Sequence, residues 1–364
     1  MITLPNPRIE LAGALDLEHT PAGVIPRRLP RWTTPQVPRE MQRGVRGSSG
    51  VRLRLAPSGP RVTIRLRCAV YHPDSAPPQK LTFVGRGDCV SASLPSVGSL
   101  TPDGFPHPST RFHSVPLDAP PGEGPLELWL PPGGVCEIAG LDVEGDLAAC
   151  PPDPRPRWWH YGSSISQCSA AREPLETWPA RAAQLLGLNL TNLGFGGQAL
   201  LDPFVARAMR DSDADLISLE VGVNIQNTAS LTARTFAPAL HGFLDTLRER
   251  HTQTPVLVMS PILFPAGERR PGPLAFSPAG KARPVGDARR AKEGALSIGA
   301  IRRLILDVLA ARADPGDVFL DGRLLLGIAD ARHLADGLHP GAAGYLLMAE
   351  RFSALAPSLV ALPH

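Results

Sequence analysis

A chain of 364 residues, 43% hydrophobic and 20% charged, has ordinary globular composition and exceeds the size of one comfortable core, which suggests two domains. A formal net charge of +3, with no basic stripe interleaved with aromatics, argues against a nucleic-acid partner. There is no signal-peptide pattern and no run of membrane-spanning length, and the cysteines Cys68, Cys89, Cys136, Cys150 and Cys168 show no Cys-x-x-Cys pair, so the expectation is a cytoplasmic protein without membrane partner, zinc site or disulfide framework.

Residues 1–48 read as irregular and proline-spaced. Alternation at period two then begins in Val51–Leu55 and Val62–Arg67, the mark of half-buried antiparallel strands, with Ser58-Gly59-Pro60 as the turn between them. Leu81–Val84, Leu126–Leu130 and Val135–Ile138 continue the pattern, separated by Gly/Pro-rich turns, and no helical stretch precedes residue 150. The reading is a jelly-roll-like β-sandwich over 1–150, its outward arginines forming a solvated or ligand-facing surface and Trp129 a lone candidate aromatic for carbohydrate. Pro151–Pro156 reads as a stiff connector.

From residue 157 strands and helices alternate. Strands are predicted at Trp158–Tyr161, Leu188–Leu193, Leu216–Val221, Val256–Ser260 and Val318–Asp321. Helices are predicted at Thr177–Leu186, Asp202–Met209, Leu231–Arg250, 286–312 and Ala342–Ala354. Five strands separated by helices imply a doubly wound parallel sheet in an α/β domain over 157–364. In such sheets the crevice lies at the carboxyl ends of the strands, so the serines of Gly162-Ser163-Ser164-Ile165 sit where a nucleophile is needed.

Three further stretches follow strands. Glycines in Asn192-Leu193-Gly194-Phe195-Gly196-Gly197 permit backbone N–H groups to approach a reacting oxygen; the same pattern also makes an ordinary turn. Asn224, after Glu220-Val221-Gly222-Val223, could donate to an oxyanion or close an Asx-turn. In Asp336-Gly337-Leu338-His339 a carboxylate three residues ahead of a histidine can fix its tautomer; a helix-entry cap or a metal pair are the competing readings.

Together these four stretches resemble blocks I, II, III and V of the SGNH (GDSL-type) hydrolases, in family order across about residues 157–356. The wording Tyr-Gly-Ser-Ser-Ile and Asn-Leu-Gly-Phe-Gly-Gly is similar to a bacterial branch in which a β-sandwich precedes the catalytic domain, a branch that holds esterases and at least one acyltransferase. The resemblance implies a three-layer α/β/α catalytic domain with Ser164 as nucleophile, His339 as base and Asp336 orienting it. Ser164 N–H, Gly197 N–H and the Asn224 side chain would form the oxyanion hole, Gly197 being chosen over Gly196 and Gly194 by its spacing from Asn192. Ser163 and Ile225 depart from the family's aspartates at those places.

The function implied is a serine ester hydrolase working through an acyl-enzyme, without metal or cofactor. Its substrate would be a small-molecule ester, with acylated sugars and anionic esters included. An acyltransferase and a catalytically silent binding protein are the alternatives. The basic, proline-rich stretch 261–292 either gates the pocket and favours an anionic substrate or is a solvated surface loop.

Overall fold

Period-two alternation does produce a sandwich, though not by the pairing the sequence suggests. The computed structural model describes every residue except 71, 72, 75, 86 and 362–364. One sheet runs in the order Glu10–Ala12, Arg52–Pro57, Leu126–Trp129, Lys80–Gly85, Asp88–Ser93, with Leu147–Ala148 added on Arg52–Pro57. The other runs Asp16–Thr20, Gly23–Arg27, Gly134–Val143, Arg61–Val70, Gly98–Ser99, with His113–Asp118 also on Arg61–Val70. Leu53, Leu55, Phe83 and Leu128 from the first and Val62, Ile64, Leu66 and Ile138 from the second fill one core. The Ser58–Pro60 turn therefore carries the chain from one sheet to the other instead of closing a hairpin.

Residues 1–48 are more regular than expected: they hold three strands and a helix at Arg39–Arg46. That helix buries Met41 and Val45, four residues apart, and Gly44 in its interior weakens the sequence signal.

The outward arginines of Arg52–Pro57 are not solvated. Arg52 is fully buried, donates to Glu127 Oε1 at 3.0 Å and lies over the Trp129 ring at 4.6 Å. Trp129 is itself 1% exposed, with its indole N–H on Glu127 Oε2 at 3.0 Å, so it offers no open platform for a sugar. Paired charges make the polar phase of this strand a second interior.

The first compact unit comprises Met1–Pro154, Cys168–Ala180 and Leu190–Asn192. Within it the Arg28 guanidinium donates to Asn192 O at 3.0 Å, that of Arg52 to Leu190 O at 2.8 Å, and the Lys80 amide to Arg172 O at 2.9 Å. The second unit comprises Arg155–Gln167, Arg181–Asn189 and Leu193–His364.

The parallel sheet has five strands, β1 (Arg157–Gly162), β2 (Asn189–Gly194), β3 (Leu216–Glu220), β4 (Val256–Met259) and β5 (Asp317–Leu320), in the order β2-β1-β3-β4-β5. The β1–β3, β3–β4 and β4–β5 ladders are parallel. All of β3 and β4 is buried, as strands covered on both faces must be. The helices are α1 (Ser164–Gln167), α2 (Trp178–Leu186), α3 (Pro203–Arg210), α4 (Val223–Thr228), α5 (Ala233–Arg248), α6 (Ile298–Arg312) and α7 (Ala342–Leu359). This is the expected β-sandwich followed by an α/β/α domain. Among the described residues no helix is long and apolar enough to cross a membrane.

Candidate active site

The buried β1 strand ends at Gly162, and the chain turns at once into the single turn of α1, which begins with Ser164. Ser163 ties the turn down: its hydroxyl oxygen accepts the Ile165 amide at 3.1 Å and its carbonyl the Gln167 amide at 2.9 Å. Ser163 and Ile165 are buried on either side, so Ser164 is the half-buried residue that faces outward.

Ser164 Oγ lies 2.9 Å from His339 Nε2, and His339 Nδ1 lies 2.7 Å from Asp336 Oδ2. The other Asp336 oxygen accepts the amides of Leu338 and His339 at 2.8 and 2.7 Å, which fixes the loop that presents the ring. Burial alone would raise the Asp336 carboxyl, but the His339 ring and these amides outweigh it and hold it down at about 2. An ionised Asp336 takes a proton donor from Nδ1, so Nε2 is left to accept the serine proton. The helix-entry cap that competed at this motif is not formed: Asp336 caps two amides of its own loop, while the N-cap of the Ala342–Leu359 helix is Gly341, without a side-chain bond.

Block II divides its amides between structure and open space. Gly196 N–H donates to Gln167 Oε1 at 2.7 Å, whereas the amides of Gly197 and Ser164 have no acceptor among the described residues. A Cβ on Gly196 would stand 3.3 Å from the Ser164 Cβ, so this loop runs directly over the serine. Gly194 is closer still to α1, where a Cβ would fall 2.4 Å from the Gln167 backbone nitrogen. Gly197 has φ +73°, a conformation glycine adopts without strain.

Asn224 lies in the first turn of α4, after Gly222 at φ +115°. It is 2% exposed, its Oδ1 accepts the Ala199 amide at 3.1 Å, and its Nδ2 has no acceptor among the described residues. Ile225, where the family carries an acid, is fully buried.

Stretch 261–292 is built rather than loose. It contains a hairpin of Leu274–Phe276 with Ala282–Pro284 and a 3-10 turn at Ala288–Glu293, so the continuous helix expected from 286 begins only at Ile298. Gln226 of α4 donates to Arg270 O at 3.2 Å, while the Ala282 amide donates to Asp336 O at 2.8 Å. The segment thus spans from the Asn224 helix to the His339 loop. Asp287 and Glu293 pair with Arg289 and Arg290, Arg270 and Lys281 donate to the carbonyls of Gly286 and Ala335, and Arg269, Arg283 and Lys292 have no carboxylate partner among the described residues.

The sequence reading missed a polar network beneath the turn, centred on Glu220 with His160, Ser166 and Ser218. A signal was there: Glu220 is the one acid in a wholly buried strand, where an uncommitted charge is costly.

A sequence model of the GDSL-like lipase/acylhydrolase family matches residues 160–347, just over half of the chain. Among solved structures, the salicylyl-acyltransferase SsfX3 from a tetracycline biosynthetic pathway is similar over 100% of this chain and 98% of its own, with 25% identity and a TM-score of 0.81. A Bacteroides ovatus protein described as a GDSL-like lipase is similar over 96% and 95%, with 19% identity and a TM-score of 0.68. A family two carbohydrate esterase from Cellvibrio japonicus follows over 98% and 96%, with 14% identity and a TM-score of 0.59, a likeness of fold. Curated protein sequences gave no match.

Proposed function

The chain belongs to the GDSL-like lipase/acylhydrolase family, and on that premise we propose that it is a serine carboxylic-ester hydrolase acting through a Ser164-bound acyl intermediate. The observation that carries this reading is the unbroken line from Ser164 Oγ through His339 to Asp336, at 2.9 and 2.7 Å. His339 Nε2 takes the Ser164 proton as Oγ attacks the ester carbonyl. Charge collects on the carbonyl oxygen, and the Ser164 amide, the Gly197 amide and Asn224 Nδ2 are the donors assigned to it. Collapse expels the alcohol, which receives the proton from His339. Water, deprotonated by the same ring, then attacks the acyl-enzyme and releases the acid.

A second reading replaces water with an alcohol acceptor. It is favoured by the full-length likeness to an acyltransferase. The substrate is a small-molecule ester; acylated sugars are supported by the fold shared with carbohydrate esterases, acylated natural products by the acyltransferase likeness.

The test is the time course of nitrophenol release from p-nitrophenyl acetate and butyrate, with Ser164→Ala alongside. Steady turnover that disappears in Ser164→Ala is expected of the hydrolase. A stoichiometric burst followed by near silence, relieved by added alcohols, selects the transferase. Equal rates in the two proteins sink both.

A further inference from the structure

Beneath the nucleophile turn lies a carboxylate that the acyl-transfer steps do not use. Glu220, the last residue of β3, is 1% exposed. Its Oε2 accepts the Ser163 amide at 2.8 Å, the Ser163 hydroxyl at 2.7 Å and the Ser166 hydroxyl at 3.1 Å. Its Oε1 is buried with no partner among the described residues. Gly162 clears the space for this approach, since a Cβ there would fall 2.3 Å from Ser166 Oγ and 2.9 Å from Glu220 Oε2.

The bonds behind Ser166 run in one direction. The Trp158 indole N–H donates to Ser218 Oγ at 2.7 Å; Ser218 Oγ and His160 Nδ1 are 2.7 Å apart, and His160 Nε2 and Ser166 Oγ are also 2.7 Å apart. Burial holds His160 down at about 3, so its ring is neutral, with one donor and one acceptor. With the indole as donor and the carboxylate as acceptor, Ser218 O–H points at Nδ1, and Nε2–H points at Ser166. The whole line therefore ends on Glu220. Burial pushes the Glu220 carboxyl up, and the donors from Ser163 and Ser166 work against that rise.

We propose that Glu220 is a positioning residue for Ser164, acting through Ser163. By gripping both the amide and the hydroxyl of Ser163, it sets the direction in which the Ser164 amide and Oγ leave the turn. The presence of serine at 163 follows from the same contact. An aspartate there, as in the family pattern, would set a second carboxylate against Glu220 within a hydrogen-bond distance, and two such charges oppose each other strongly in a dry site. Ser163 and Glu220 are one unit.

This inference rests on the reading of Ser164 as nucleophile, and the experiment separates the two. Steady-state kinetics on a p-nitrophenyl ester are compared for wild type, Ser164→Ala, Ser163→Asp, Glu220→Gln and the double Ser163→Asp/Glu220→Gln, with circular dichroism to establish folding. Glu220→Gln keeps an amide oxygen for Ser163 but gives up the charge that draws in the Ser163 amide and the two hydroxyls, so its kcat falls by about threefold at nearly constant KM, and an unchanged kcat overturns the proposal. Ser163→Asp loses about tenfold or more in kcat with KM nearly unchanged, and the double variant regains most of that loss because the charge opposite Asp is gone. A double variant no more active than Ser163→Asp alone overturns the proposal. If Ser163→Asp does not fold, Ser163→Ala decides: a fall of about threefold or more in kcat at constant KM supports it, and an unchanged kcat overturns it. Turnover surviving in Ser164→Ala would remove the nucleophile assignment instead, whatever Glu220 does.

Discussion

The Ala199 amide holds the oxygen of Asn224, at 3.1 Å, and by doing so turns the amino end of that carboxamide the other way. The hydrogen bond that orients Asn224 comes from the loop that carries Gly197, two residues earlier. Asn224→Ala should lower kcat by about 10²–10³, the usual cost of one lost oxyanion donor, with little change in KM. Asn224→Asp keeps an acceptor for Ala199 but has no N–H, so it should lose at least as much. Near-normal turnover in Asn224→Asp would remove this side chain from the oxyanion hole.

Asp336 gives a prediction about pH. Its ordinary value of 3.8 falls to about 2 in the folded protein, against the opposing effect of burial, because the His339 ring and the loop amides bond its charged form. A depressed carboxylate stabilises the fold fully above the unfolded value, and the contribution fades as pH drops from 3.8 through 2. Denaturant midpoints of wild type and Asp336→Asn should therefore differ at pH 6 and draw together near pH 2. At neutral pH the same substitution keeps an oxygen for the Leu338 and His339 amides but loses the charge that orders the ring, and kcat should fall by roughly 10⁴. An unchanged kcat would detach Asp336 from the chemistry.

Gly194 tests how tightly the second block braces the turn that carries Ser164. A Cβ there would meet the Gln167 nitrogen at 2.4 Å and the Ser166 carbonyl carbon at 2.6 Å, both backbone atoms of α1. Backbone yields poorly, so Gly194→Ala should cost about 1–3 kcal/mol in stability. It should also shift α1, lowering kcat by about tenfold or more, since small displacements of reacting groups are expensive. Wild-type melting and turnover together would show that the strand end can give way.

Segment 261–292 gives a prediction about substrate charge. With Asp287 and Glu293 committed to Arg289 and Arg290, Arg269 and Arg283 remain to act on a passing charge. Arg269→Gln/Arg283→Gln should raise KM for an anionic ester such as a p-nitrophenyl hemisuccinate about threefold or more, and leave that for p-nitrophenyl acetate unchanged. The gap should shrink as salt is raised. Equal KM values for both esters before and after substitution would refute the electrostatic role.

The second half was legible because its signals are local. β3 and β4 are buried on both faces, and their largely apolar runs mark them as parallel strands; Gly162 and Gly194 close β1 and β2, and Gly222 follows β3. Ser164, Asp336 and His339 were named from short motifs, and the fold brings them into one line. The first half misled where partnership decides. Arg52 looks like an outward residue until Glu127 and Trp129 close over it, and Ser58-Gly59-Pro60 looks like a hairpin until its flanking strands join different sheets. Glu220 escaped for a related reason: strand periodicity registers an acid, but not the two donors waiting for it at Ser163, 57 residues away in sequence, nor the third at Ser166.

Between Ser164 and Gly197 the chain leaves its own unit twice, lending Cys168–Ala180 and Leu190–Asn192 to the sandwich, where the side chains of Arg28 and Arg52 grip the carbonyls of Asn192 and Leu190. No single cut in the chain divides it into these two units, so an exchange at one linker would not carry the first unit away whole. Two units interleaved along the chain in this way share the stretch between residues 164 and 197, and a change there must be tolerated by both.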